Sequence, residues 1–463
     1  MIRFARLFFG LSGFLICMQT PVAAEEGFAE GFKAALSKGP PAAAASLAEG
    51  QLALNPDDRT ARFALGTAQF LSAVEALGQD LYRHGFNTDQ FAYSLTMFTG
   101  RLSVPIPPNP APEPVTFAAL QRVLSDFADR LVQAEATLAA VPPGPVTLPL
   151  DLAAIRLDLN ADGTVTDAEA LGPLIRVSLR VSFPNGQSTF NFDESDVFWL
   201  RAYCHLLAGI TDALLAHDWS EALDKTLHDL FPQAALTSAP LGEQLADQIA
   251  RWGNGTEPED FYDTHGYWTE DLSDPLYQEW IQSEQGLKWQ DAQRTYYALF
   301  GSSIADAVAF VHLAHWKVIA PERMQSSRNH LLQMIAMSRA NWASILAETD
   351  DTFEWLPGPQ QQSWVPRMVV RRSTVDGWHR FLDQFEGVLE GRLLMPHWRF
   401  DRDRGINVRR MFEEPRTFDP VMLLQGVDAL PYLEAGAMAD DATASTAFRI
   451  LDEGFLAYFI WFN

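Results

Sequence analysis

Asp158 to Glu169 reads Asp-Leu-Asn-Ala-Asp-Gly-Thr-Val-Thr-Asp-Ala-Glu, a spacing that gathers oxygen donors around a hard cation. Ca²⁺ takes six to eight oxygens in a flexible shell, and a twelve-residue EF-hand loop supplies them from fixed positions. Asp158, Asn160 and Asp162 stand where side-chain oxygens are needed, Thr164 where a backbone carbonyl serves, and Thr166 where a water bridges. Glu169 closes the loop with both carboxylate oxygens, Gly163 permits the sharp turn, and Val165 is the apolar tether. The apolar spacing Leu150, Ala153, Ala154, Leu157 predicts an entering helix starting at Pro149. An exiting helix is expected near Asp167, cut early by Gly172-Pro173. No second loop of this kind occurs in the sequence. Sensor EF-hands act in pairs that expose a groove, so a lone loop with a broken exit helix predicts a structural calcium rather than a switch.

Other constellations carry less. Cys204 and His205 are adjacent, and neighbours on a helix point about 100° apart, so a nucleophile–base dyad is not expected and Cys204 reads as buried and inert. His217-Asp218 and His228-Asp229 are the dipeptide of helical metal-dependent phosphohydrolases, without identifiable further ligands. His312 and His315 have the spacing of a zinc pair but lack the glutamate of a metalloprotease helix. Arg392 to Arg416 contains seven arginines against Asp401, Asp403, Glu413 and Glu414, a basic island that could hold an anion or pair with the protein's own carboxylates. No nucleophile elbow, phosphate-cradling glycine loop or dinucleotide fingerprint is present.

The elements that must position these residues are mostly helical. The chain has 463 residues, 48% hydrophobic and 20% charged, enough apolar material for a large core. Acids outnumber bases 59 to 34, a formal charge of -25, which disfavours nucleic acid and anionic membrane surfaces as partners. Arg3 and Arg6, the apolar run Leu7 to Met18, and small residues Val22 and Ala24 form the pattern of a signal peptide, with cleavage expected near Ala24 and a periplasmic or secreted mature chain. Its removal would leave Cys204 as the single cysteine, so no internal disulfide is expected, nor any transmembrane segment in the mature chain.

The expected organisation is 1–24 signal peptide, 25–104 N-terminal helical region, 105–147 proline-rich connectors around one helix, 148–183 loop with its flanks, and 184–463 C-terminal helical domain. Leu52 to Ala68 is similar to one tetratricopeptide repeat, but without a second copy it reads as a plain helical hairpin. A helix is expected over Phe117 to Ala139. Alternation from Ile175 to Phe183, the turn Pro184-Asn185-Gly186 and Thr189 to Phe192 predict a β-hairpin. A helix capped by Asp193 or Ser195 should present Trp199, Tyr203, Leu206, Leu207, Ile210 and Leu214 inward, with Glu194, Arg201, His205 and Asp212 on a solvated stripe. The fold class is mainly α: a multi-helix body with one EF-hand-type helix-loop-helix and a small β-hairpin.

The calcium loop, the segment Phe192 to Leu207 containing Trp199-Leu200-Arg201-Ala202-Tyr203-Cys204-His205, and Gly405-Ile406-Asn407-Val408-Arg409-Arg410 with Glu413-Glu414-Pro415-Arg416 together resemble an uncharacterised family of exported bacterial proteins carrying a single EF-hand calcium loop. The resemblance spans most of the mature chain, implies a bacterial origin and one calcium loop, and transfers no catalytic residue. Two functions follow as expectations. One is a periplasmic calcium-binding protein with a binding or scaffold role toward a protein or envelope ligand. The other is a periplasmic hydrolase-type enzyme with a site assembled from His205, Asp212 and the Arg399–Arg416 region.

Overall fold

The structure, a computed structural model, describes residues 21–86, 106–173, 175, 183, 186–228, 230–231, 236–241, 243–244, 265, 273–313, 315–349, 351, 354–364 and 369–440. It is mainly helical, with small two-stranded antiparallel sheets. The expected leader lies mostly outside the described residues, and helix α1, Pro21–Lys38, runs through the expected cleavage point. Among the described residues no helix is long and apolar enough to cross a membrane.

Helices α2, Pro41–Leu54, and α3, Arg59–Arg83, form the expected hairpin, with α1 packed beside them. The Asp58 carboxylate caps α3 by accepting from the Ala61 amide at 2.9 Å, satisfying a donor that the first helical turn leaves open. After the proline-rich connector comes α4, Phe117–Ala139, with the expected bounds and Thr116 as its cap. α4 lies against α3 so closely that a Cβ on Gly66 would sit 2.6 Å from Leu138. Strand β1, Leu148–Asp151, pairs with β2, Thr189–Phe192. Helix α5, Glu194–Leu215, follows β2 and packs on α4 and along α9, Pro321–Ile345. Between α5 and α9 come β3, His217–Asp218, α6, Ser220–Thr226, α7, Pro275–Ile281, α8, Glu284–Leu313, and β4, Lys317–Val318, which pairs with β3. Asp193 caps α5, and Asp193 and Asp196 form a capping box.

The principal core joins both halves of the chain: Phe32, Phe63 and Leu138 from the N-terminal helices, Phe190 and Phe192 from β2, and Trp342, Trp355 and Trp364 from the later region. Phe190 lies 5.3 Å from Trp355 and 5.1 Å from Trp364 between ring centroids, edge-to-face. Further along, α10, Arg372–Leu389, leads to a small unit of β5, Arg404–Ile406, α11, Val408–Glu413, α12, Pro420–Gln425, and β6, Leu433–Ala435.

Three expectations are corrected. The entering helix of the loop is replaced by β1 and a turn, because Leu148 and Leu150 alternate inward against Phe192 and Phe190 instead of sharing a helical face. The second arm of the expected hairpin is a strand, but its partner is β1; residues 176–182 of the first arm lie outside the described residues. On α5 the stripe expected in solvent is buried at His205 and Asp212, while Ile210, assigned inward, is 43% exposed. A third helical layer, α9, covers the polar face, and a helical wheel carries no record of a neighbour.

Candidate metal centre and buried polar clusters

The loop Asp158–Glu169 is built by local hydrogen bonds from its own amides. The Asp158 carboxylate accepts from the Asp162 amide at 3.2 Å and the Gly163 amide at 3.0 Å. Asn160 Oδ1 accepts from the Asp162 amide, and Asp162 Oδ1 from the Thr164 amide and hydroxyl. Those bonds, the Thr164 hydroxyl first, hold the exposed Asp162 carboxyl below its ordinary range. Gly163 has φ +83 and Ala161 φ 58, the left-handed turns that bend the chain around one centre. Glu169 ends a short 3-10 helix, Asp167–Glu169; its Oε1 accepts from the Leu159 amide and its Oε2 from the Thr166 amide and hydroxyl. Glu169 is 1% exposed and Asp158 7%, so the first and last acids are buried while the middle of the loop faces solvent.

The loop's two ends are stitched together and to α3. Leu157 donates to the Glu169 carbonyl and Leu171 to the Ile155 carbonyl, flanking an Arg156–Ala170 bridge. Glu75 Oε2 on α3 accepts from the Asp158 amide at 2.8 Å, and Gln79 Nε2 donates to the Asp158 carbonyl at 2.7 Å. Helix α3 thus holds the loop's start where an entering helix was expected. Burial pushes the Glu75 carboxyl up to about 7; the Asp158 amide opposes this, and the charges of Asp158 and Glu169 add to it. Neither Glu75 nor Gln79 stands out in the sequence, since each lies on an ordinary helix far from the loop. Asp158, Asn160, Asp162 and Glu169, with the Thr164 carbonyl and a water at Thr166, are the residues that would hold a calcium ion. Their oxygen-only chemistry fits a hard cation.

A second cluster crosses the helical body. Glu135 on α4 accepts from Arg201 Nε and Nη2 at 3.0 and 2.9 Å and lies 3.5 Å from His205 Nε2. His205 Nδ1 faces His330 Nδ1 at 3.0 Å, and Asp212 pairs with Arg323 at 2.7 Å. His330 Nε2 stands 3.9 Å from Asp212, which completes a chain of polar side chains across α4, α5 and α9. Burial would raise the Glu135 carboxyl, but the His205 and Arg201 contacts outweigh it and hold the group low. Cys204, beside His205, is buried, and burial pushes its thiol far up, leaving it inert as expected.

Among the described residues, the arginines of 399–416 make no hydrogen bond or ion pair with His205 or Asp212. Arg409 pairs with Glu413 at 2.7 Å, and Arg410 with Glu414 and Glu434 at 2.9 Å. Arg399 lies over the Trp398 ring. His217 Nδ1 donates to the Ala213 carbonyl at 2.7 Å, and His228 Nε2 lies 3.4 Å from Asp306. The His312 and His315 ring centroids are 6.4 Å apart, and His315 Nδ1 is 3.5 Å from Asp419.

Sequence spacing does not group a third set, Asp193, Glu348 and Glu354, whose oxygens come within 4.8 Å of one another. They face a cavity of about 350 Å³. Burial first, then the Asp193 charge, pushes the Glu348 carboxyl up to about 7, against a hydrogen bond from Gln361. The loop acids, spread among their amide donors, form no set this tight. A dense acidic run, Glu348 to Glu354, is the one signal the sequence offers for it.

No protein-family model, no curated protein and no solved structure matches this chain.

Proposed function

We propose that this is an exported calcium-binding helical protein in which one EF-hand-type loop holds a structural Ca²⁺, and whose role is to bind a protein or envelope ligand. The observation that carries the reading is the loop itself. Its two buried acids are oriented by amides, its ends are clamped, and its first residue is held by Glu75 and Gln79. A staple fits this placement better than a switch, since Leu157 just before the loop and Leu159 at its second position belong to the principal core. Calcium there would tie the loop's two ends together beside helix α3, and its charge would offset the loop's three carboxylates. The enzyme alternative has one favouring feature, the approach of His205 and Asp212 through His330, and lacks the arginine region as a third contributor.

The test is thermal unfolding of chelator-treated protein with added Ca²⁺, Mg²⁺ or neither. A ligand that binds only the folded state at a hundredfold excess over Kd stabilises by about 2.7 kcal/mol. Ca²⁺ should raise Tm, Mg²⁺ should do less because it dehydrates reluctantly, and Glu169→Gln should remove most of the gain while the helices stay folded. Equal melting temperatures in all three conditions, with no calorimetric heat of binding, would refute the calcium reading.

A further inference from the structure

Beneath the β1–β2 sheet and the first turns of α5 lies a second cavity, of about 290 Å³, in the principal core. Its walls are almost wholly apolar. Phe63 and Phe70 of α3, Phe192 of β2, Trp199 of α5 and Trp355 give it an aromatic lining, and one acid, Asp196, interrupts it. The volume equals roughly ten molecules of liquid water, near the lower end of ligand pockets in proteins. A space this size within a well-packed core forfeits dispersion contacts that an occupant of matching shape would restore.

Asp196 is 3% exposed, and one carboxyl oxygen accepts from the Asp193 amide at 2.9 Å. Its other oxygen has no hydrogen-bond partner among the described residues. Among those residues no lysine or arginine lines the cavity, and Asp193, Glu348 and Glu354 stand in the adjoining acidic cavity. The two spaces share a wall, because neighbours along the chain divide between them: Asn191 and Phe192, Glu354 and Trp355. Any head group beside Asp196 therefore meets a negative field. An anionic head would be repelled without a compensating cation, and a neutral hydroxyl would gain a single hydrogen bond. An ammonium would pair with the carboxylate and find aromatic faces for its charge.

We propose that this aromatic cavity is a binding site for a small organic amine, its ammonium against Asp196 and its hydrocarbon or aryl body among Phe63, Phe70, Phe192, Trp199 and Trp355. Burial, followed by the charges of Asp193, Glu354 and Glu348, pushes the free Asp196 carboxyl well up, so the unpaired carboxylate is costly in the empty site. The bound ammonium removes that penalty. An ammonium–carboxylate pair then remains. The site does not depend on the calcium reading.

The experiment is calorimetry at neutral pH, with Ca²⁺ present throughout, using 2-phenylethylamine, 2-phenylethanol and 3-phenylpropionate as cationic, neutral and anionic probes of similar shape. The amine should bind tightest, the alcohol at least about tenfold more weakly, and the carboxylate weakest. Asp196→Asn keeps the acceptor for the Asp193 amide and should weaken the amine about tenfold while moving the alcohol little. The three-probe comparison on the unaltered protein is a readout that does not depend on the variant folding. Binding of none of the three probes at millimolar concentration overturns the proposal. So does carboxylate binding as tight as the amine, or equal affinity for amine and alcohol.

Discussion

Replacing Glu348 by Gln tests whether the acidic cavity burdens the folded state. The folded carboxyl titrates near 7 against an ordinary 4.5, chiefly through burial and then the Asp193 charge. Between those values the folded chain keeps a proton that the unfolded chain has released. Stability from this group is therefore complete below about 4.5 and is lost as pH rises through about 7. Each pH unit between the folded and unfolded values is worth about 1.4 kcal/mol, which sets a ceiling near 3 kcal/mol. Glu348 is only partly buried and borders a solvent-reachable cavity, so screening reduces the expected effect to about 1 kcal/mol. Gln is nearly isosteric, can still accept from Gln361 Nε2, and does not titrate. Urea unfolding at constant ionic strength should give similar stabilities for both proteins near pH ~5 and a variant more stable by about 1 kcal/mol near pH ~8. A difference that does not change with pH, or a variant less stable under alkaline conditions, would show that Glu348 ionises normally and that the cluster is relaxed.

Removing Arg323 as Arg323→Leu leaves Asp212, 2% exposed, without its guanidinium, and should cost about 2–3 kcal/mol. Adding Asp212→Leu should recover part of that loss, and an additive double variant in denaturant titrations would sink the coupling. His330 is pushed down by burial and then by the His205 charge, with Asp212 and Glu135 opposing. Its contribution is present above the ordinary imidazole value of about 6.5 and is lost as pH falls below it toward the depressed folded value. His330→Asn should flatten that acid limb of the stability profile, and an unchanged limb would assign it elsewhere. Cys204 should resist thiol reagents in the native protein and react once urea unfolds it; native labelling at the unfolded rate would contradict its burial.

Features written in contiguous residues are legible in the sequence itself. The tight turn of Asp158–Glu169 is one, because Gly163 and the side chains that accept from its amides at alternate positions are local requirements of one short segment. Helix α4 is another: Thr116 caps it, its apolar residues recur at helical spacing, and breakers follow it, so its bounds need no neighbour. The Asp193 cap and the inert Cys204 are likewise readable from adjacent positions. The strand ahead of the loop is not. Leu148 to Leu157 satisfies a helical and an alternating pattern over its short length, and the aromatic residues of β2 decide between them. Burial of His205 and Asp212 is equally hidden, since their partners His330 and Arg323 come from a helix more than a hundred residues away. The same holds for Glu75 under the loop and for Asp196 between its two cavities. Hydrophobic periodicity says which face of an element turns inward only when a single layer covers it. In a body where α5 is enclosed by both α4 and α9, the pairing of buried charges is settled by which helices meet, and only the tertiary structure holds that information.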